Sequence, residues 1–382
     1  MFILFFLFQT SITFAAQNFN LMRLIRSIIF FSIILLLAAP AVAQNESSYS
    51  LTKDGVIKTV ETEGVTQQFN IAKPIVLLKT KYELGTEEGY SRFSVESARL
   101  GVKGDLSKFF SYNFLFDLCA ETKLTVLDLN VTIKPLKRLS FVVGQQPKSL
   151  FNSWTISPNA VEFVNAPFIG KYFTSSRDIG VTAKYAIKNN GFPINAELNV
   201  FNGSGTLNPT WNKALALGGK LEFGSSKEGF RTSIRFYNPA NAATGGRDLF
   251  VGADVRYATK DFKIEAEYMT KQYTGTTAAM VPEPHSTANV QSAYSIPANN
   301  SFLSAVEPHL RWDALGYSVY DRGFGVNRIT AGVNFILKTT VCTSMFRINY
   351  EHYLNNSMDL SAFFTNAVNN ENKFGIDFLL YF

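Results

Sequence analysis

Beyond residue 68, apolar and polar side chains alternate with a period of two, in segments of about ten residues broken by turn formers. Phe110, Tyr112, Phe114, Phe116 and Leu118 alternate with Ser111, Asn113, Leu115 and Asp117, and Leu127, Leu129, Val131 and Ile133 with Asp128, Asn130, Thr132 and Lys134. Phe374, Ile376, Phe378, Leu380 and Phe382 face away from Gly375, Asp377, Leu379 and Tyr381. Successive side chains of a strand point to opposite faces, so each segment predicts a strand with one apolar and one wetted side. The pattern places strands at 69–82, 91–103, 109–118, 124–134, 139–146, 177–187, 194–202, 214–223, 230–237, 249–258, 262–271, 287–297, 301–311, 327–338, 343–353 and 372–382. The one at 287–297 is inferred partly from parity.

The connections alternate in length. GDLSK, PLKR, KNNGFP, GSSKEG, TKD, PANN and KTTVCT are short, whereas 147–176, 203–213, 238–248, 272–286, 312–326 and 354–371 are mostly long and polar. An even number of antiparallel strands, with short turns at one end and long loops at the other, predicts an all-β, 16-stranded transmembrane barrel. In that topology Cys119 lies at the outer end of the third strand and Cys342 in an inner turn. A core of about 30 Å keeps them from pairing.

The first 43 residues carry a different pattern. From Met22 the chain reads MRLIRSIIFFSIILLLAAPAVAQ, with Arg23 and Arg26, an apolar core from Ile28 to Ala39, Pro40, and Ala41-Val42-Ala43 for signal peptidase. This predicts a signal peptide over 1–43, with 1–21 either upstream of the true start or the first part of a long tandem signal, a periplasmic extension at 44–68 and the barrel at 69–382. Composition narrows the picture further. Charged residues make up 17% and aromatics 14%, with 35 Phe and 16 Tyr against 2 Cys and 3 His, which excludes disorder and a disulfide scaffold. After residue 43 no apolar run approaches the roughly 20 residues of a membrane-spanning helix. A formal charge of +6, with no basic run or zinc spacing, gives no support to nucleic-acid binding.

Several stretches resemble the phosphate-selective porin O and P family: SARLGVKGDL at 97–106, VVGQQPKSLF at 142–151, SRDIGVTAKY at 176–185, EPHLRWD at 307–313, ITAGVNFIL at 329–337, FRINYEH at 346–352 and the terminal strand. Each is short; their order and spacing carry the likeness. The resemblance implies an outer-membrane homotrimer, an inward-folded third outer loop and passive diffusion of small anions such as phosphate. The ending on Phe382 resembles the signal read by the barrel-assembly machinery, and the apolar face expects outer-membrane lipid.

Sixteen strands leave an aqueous channel, so selectivity must come from lumen charges and from whatever narrows the bore. The loop at 147–176 is the longest outer connection and is expected to fold inward, with Lys148, Lys171 and Arg177 outnumbering Glu162 at the constriction. Face assignment sends Lys184, Lys220, Arg231, Arg235 and Arg256 into the lumen, with Lys220 braced by Arg231 or Glu222 partners. Lumen acids, among them Asp128, Glu197, Glu222, Asp254, Glu265 and Glu267, nearly cancel the bases. A general or weakly anion-preferring channel is therefore expected, not an enzyme, with no cofactor and no metal. The alternatives are a barrel enzyme, needing a Ser–His or Asp–His pair from His285, His309 or His352 with Glu351 or Asp359, and a non-conducting structural or adhesive barrel.

Overall fold

The structure is a computed structural model describing residues 47–52, 55–62, 65–120, 123–150, 157–169, 176–187, 192–225, 227–241, 245–274, 285–317, 323–340, 342–358 and 371–382. The predicted signal peptide, Lys171 and Asp359 lie outside these residues. Sixteen strands form the barrel: β1 (Val65–Gly85), β2 (Ser91–Asp105), β3 (Phe110–Ala120), β4 (Lys123–Leu136), β5 (Leu139–Pro147), β6 (Arg177–Ile187), β7 (Ile194–Phe201), β8 (Ala216–Gly224), β9 (Gly229–Asn238), β10 (Gly246–Ala258), β11 (Phe262–Thr274), β12 (His285–Tyr294), β13 (Leu303–Gly316), β14 (Val326–Leu337), β15 (Thr343–Asn356) and β16 (Lys373–Tyr381). Each pairs antiparallel with the next, and β16 closes on β1 from Lys373↔Gly85 to Tyr381↔Leu77. Val76 and Phe382 complete the seam by exchanging backbone hydrogen bonds of 2.8 and 3.0 Å. Closure leaves no unpaired edge, the condition for a sheet to sit in hydrocarbon.

Ahead of the barrel, Ser47–Thr52 and Gly55–Thr62 form two further strands paired with each other. Residues 57–68 belong to a compact unit separate from residues 69–382.

The burial pattern is that of a soluble protein turned inside out. On β9, Phe230, Ile234 and Phe236 are exposed, while Arg231, Ser233, Arg235 and Tyr237 are buried. The same reversal exposes Leu78, Phe93, Leu100, Leu129, Leu198, Leu217 and Leu310. Leaving that much apolar surface in water is untenable, and lipid supplies the environment it needs.

The pattern at residue 287 does correspond to a strand, beginning two residues earlier at His285. The larger shift is in β13, which continues to Gly316, beyond the expected end at residue 311. The added strand residues carry Asp313 into the wall, where it meets Arg328. In β2, Lys79 pairs with Ser97 and Thr80 with Val95, so Glu96 is bulged and reaches Lys79 at 2.9 Å and Lys81 at 3.2 Å. Cys119 and Cys342 are both free thiols.

Candidate functional site

The 147–176 loop is held in the barrel interior at many points. Its ends are tied together where Lys148 N donates to Ser176 O at 2.9 Å. Leu150 and Ile169 pack on Phe201, Ala216, Tyr237, Phe250 and Met269, an apolar patch on the inner face of β7 to β11. Phe168 packs on Leu315, Val326 and Met358. Such patches have no use in a water-filled bore unless something covers them, and the loop does so.

Between these anchors, polar contacts fix the segment from Pro158 to Phe168. Arg347 Nη1 donates to the carbonyls of Pro158 (3.1 Å) and Val161 (2.6 Å), and Lys263 pairs with Glu162 at 2.5 Å. Lys79 Nζ donates to Val164 O at 2.6 Å, while Val164 N donates to Asn349 Oδ1 at 2.7 Å. Arg311 lies 4.4 Å from the Phe163 ring centre and Arg328 4.3 Å from that of Phe168. Asn165 is the hub: its Nδ2 donates to Glu83 (3.0 Å) and Glu351 (2.8 Å), its Oδ1 accepts from Lys81 (3.0 Å), and its carbonyl accepts from Arg311 (3.0 Å).

Two glycines make room for this seat. A β-carbon on Gly332 would run into the Asn349 amide and, at 2.6 Å, the His309 ring; one on Gly375 would press at 3.1 Å on Val164. His309 Nδ1 faces Glu307 O at 3.2 Å and Nε2 faces Asn349 Nδ2 at 2.6 Å, an arrangement satisfied by a proton on Nδ1. Its ring also packs edge-on against Phe163. Glu351 is engaged by Arg328 at 2.8 Å. These two groups brace the loop.

The loop seat occupies the side of the bore formed by β13 to β16 and β1, with Leu150 and Ile169 on β7 to β11. A cavity of about 630 Å³ lies along β1 to β9, lined by Lys73, Lys103, Lys148, Lys184, Lys220 and Arg235, against the acids Asp105, Asp128 and Glu197. Amides and hydroxyls of Asn113, Asn130, Ser111 and Thr132 complete its wall. Lys73 and Lys103 stand directly opposite each other on β1 and β2, and Lys220 opposite Arg235 on β8 and β9. Like charges in register repel, and at Lys220 and Arg235 the carboxylates of Glu197, Glu222 and Glu267 offset that repulsion.

The expected site residues divide accordingly. Lys148 is buried at the cavity edge, 5.0 Å from the Tyr237 ring centre. It is the first residue beyond β5, and burial pushes its ammonium down to about 8 against the pull of Asp178. Arg177 is bound to Asp128 at 2.8 Å. Lys184 and Lys220 share Glu197 at 3.6 and 3.5 Å. Arg231 and Arg235 are spent on Asp254, Glu265 and Glu267. Arg256 donates to the backbone of Ser225 and Lys227. Lys220 is braced by Glu222 at 3.3 Å and by Glu197; its register partner across β8 and β9 is Arg235, while Arg231 lies opposite Gly224. The pairing with Arg231 is thus corrected. Among the described residues no group of three or more His, Cys, Asp or Glu side chains could hold a metal ion.

Lys79, Lys81, Glu83, Asn165, Asp313, Arg328 and Asn349 are site residues that were not expected from the sequence. A period-two signal for the first three was present in LKTKYEL, where they alternate with Leu78, Thr80, Tyr82 and Leu84. Asn165 gave no local signal, because its partners come from β1, β13 and β15.

No protein-family profile matches the chain, and no curated protein matches it. Solved structures do. OmpF of Salmonella typhi, in complex with daunomycin, superposes with a TM-score of 0.57 at 10% identity, over 88% of this chain and 100% of that one. The anion-selective porin of Comamonas acidovorans gives 0.55 at 10% identity, over 81% and 98%. A loop L8 deletion mutant of OmpT, an outer membrane protein of Vibrio cholerae, gives 0.56 at 12% identity, over 81% and 99%. At these identities the likeness is one of fold.

Proposed function

We propose that this chain is an outer-membrane porin through which small anionic solutes diffuse passively, in an aperture set by the 147–176 loop. The observation that carries the reading is the cavity beside that loop, whose wall bears five lysines against three carboxylates, its one arginine, Arg235, being paired with Glu267. A lined, hydrated lane of one dominant sign concentrates ions of the other sign. The lane runs off-axis, along β1 to β9, because the loop is pinned over β13 to β16, with its Lys148 end bordering the lane. This geometry favours conduction over a non-conducting barrel with its interior packed closed. Of the groups an enzyme reading would use, His309 and Glu351 are engaged in holding the loop.

Neither phosphate specificity nor an arginine ladder is part of the proposal. Arg231 and Arg235 face carboxylates at 2.5 to 3.4 Å, which leaves the lysines of the lane to set the preference. Lys148, Lys171 and Arg177 form the constriction in this reading, and a homotrimer is the assembly it implies.

Reversal potentials across a potassium chloride gradient test the selectivity. Wild type prefers chloride, and K184Q/K220Q lowers the anion-to-cation permeability ratio by about tenfold, since Glu197 and Glu222 are left without their cations. An unchanged ratio would remove these lysines from the conduction path. A pH series adds an independent check. With Lys148 titrating near 8, its charge is present below that pH and lost above it, so anion preference falls between pH 7 and 9. K148Q flattens that profile; a profile identical to wild type would show that another group titrates.

A further inference from the structure

At the short-turn end of the barrel, the turns joining β2 to β3 and β4 to β5 carry a concentration of positive charge with an apolar wall beside it. Lys108, Lys137 and Arg138 are exposed, and among the described residues none of the three forms an ion pair. Lys134 and Lys184, nearby on the inner face, are already engaged by Asp105 at 3.0 Å and by Glu197 at 3.6 Å. Lys108 lies 4.9 Å from the Phe109 ring centre. A groove of about 700 Å³ opens here, lined by these five cations, by the acids Glu197 and Glu222, which are held by Lys184 and Lys220, and by Phe109, Leu136, Leu139 and Tyr185. Register places Leu139 opposite Tyr185 and Leu136 opposite Leu139, all on the outward face, and Phe110 opposite Ile133 continues that face.

We infer that this rim binds the phosphate headgroup of an anionic phospholipid in the membrane leaflet at the short-turn end. The acyl chains would lie along Leu136, Leu139, Phe110 and Tyr185. The occupant follows from the two halves of the groove. A free anion would use the cations but leave the aromatic and aliphatic wall bare, and an acidic peptide would have to compete with lipid for that wall. A lipid with a negative headgroup satisfies both, because basic side chains at the interface attract anionic headgroups while apolar and aromatic ones favour the acyl boundary. Lys108, Lys137 and Arg138 do not line the lane, which the groove meets only at Lys184 and Glu197, so replacing these three leaves the lane's own charges in place.

Native mass spectrometry of the full-length, detergent-purified protein tests this, with phosphatidylglycerol and phosphatidylcholine added in turn. Phosphatidylglycerol is expected to bind in preference, and K108Q/K137Q/R138Q to weaken its binding by about a hundredfold. If the triple variant yields no heat-modifiable barrel, the single variants K137Q and R138Q replace it, each expected to lose about fivefold. Equal binding of the two lipids by wild type would overturn the inference, as would undiminished phosphatidylglycerol binding by the variants. Displacement of phosphatidylglycerol by lipopolysaccharide would overturn the choice of occupant. A protein that conducts anions yet fails these tests would lose this site and keep its proposed function.

Discussion

Replacing Asn165 by alanine is expected to expose a second, larger conductance level in single-channel recordings. The side chain makes three hydrogen bonds to charged groups, donating to Glu83 and Glu351 and accepting from Lys81, all at 2.8 to 3.0 Å. Hydrogen bonds to charged partners contribute about 1.5–3 kcal/mol each, and those on one residue are not additive. A loss on the order of 4 kcal/mol multiplies the population with the loop detached by about a thousand. Val164 and Phe168 retain their own contacts, so the detached level should be visited, not permanent. The barrel wall is untouched by the change, and heat-modifiable migration should remain that of wild type. Recordings indistinguishable from wild type would show that the loop is held by its apolar anchors alone.

Arg347→Ala should be the most destabilising single substitution in the wall. Arg347 is fully buried, binds Asp377 through Nε (2.7 Å) and Nη2 (2.8 Å), and donates to two loop carbonyls through Nη1. Removing one partner of a buried pair leaves the other uncompensated, a cost of about 3–5 kcal/mol. Asp377 retains Lys79 at 3.5 Å, which places the expected loss toward the lower end. R347K keeps the charge but not the two-pronged fork, and should fall between alanine and wild type. Chemical denaturation in detergent micelles provides the measurement; a midpoint unmoved by R347A would mean that β15, β16 and the loop do not share this arginine as their tie.

The period of two made the barrel legible in the sequence, since every strand of the wall must offer lipid one face and the lumen the other. Segments such as 230–237 contain that demand without interruption, and in 374–382 only Leu379 departs from it. Strand ends were harder. Asp313 reads as the start of a polar loop, and only its meeting with Arg328 shows that β13 continues. The bulge at Glu96 breaks the alternation locally, because two successive residues, Glu96 and Ser97, turn inward. The loop seat was least legible for a physical reason. Asn165 meets residues some 82 to 186 positions away, and a loop's sequence carries no periodicity from which such contacts could be read. Charge counting had the opposite weakness. It found Arg231, Arg235 and Arg256 together but could not tell arginines neutralised by Asp254, Glu265 and Glu267 from those left to attract an ion.

The most direct test of a water-filled lane beside a pinned loop is to insert the purified, barrel-folded protein into a planar bilayer and record the current under an applied voltage. The account predicts stepwise, ohmic channels whose reversal potential in a salt gradient lies on the anion side. Barrel-folded protein that inserts without conducting would contradict it.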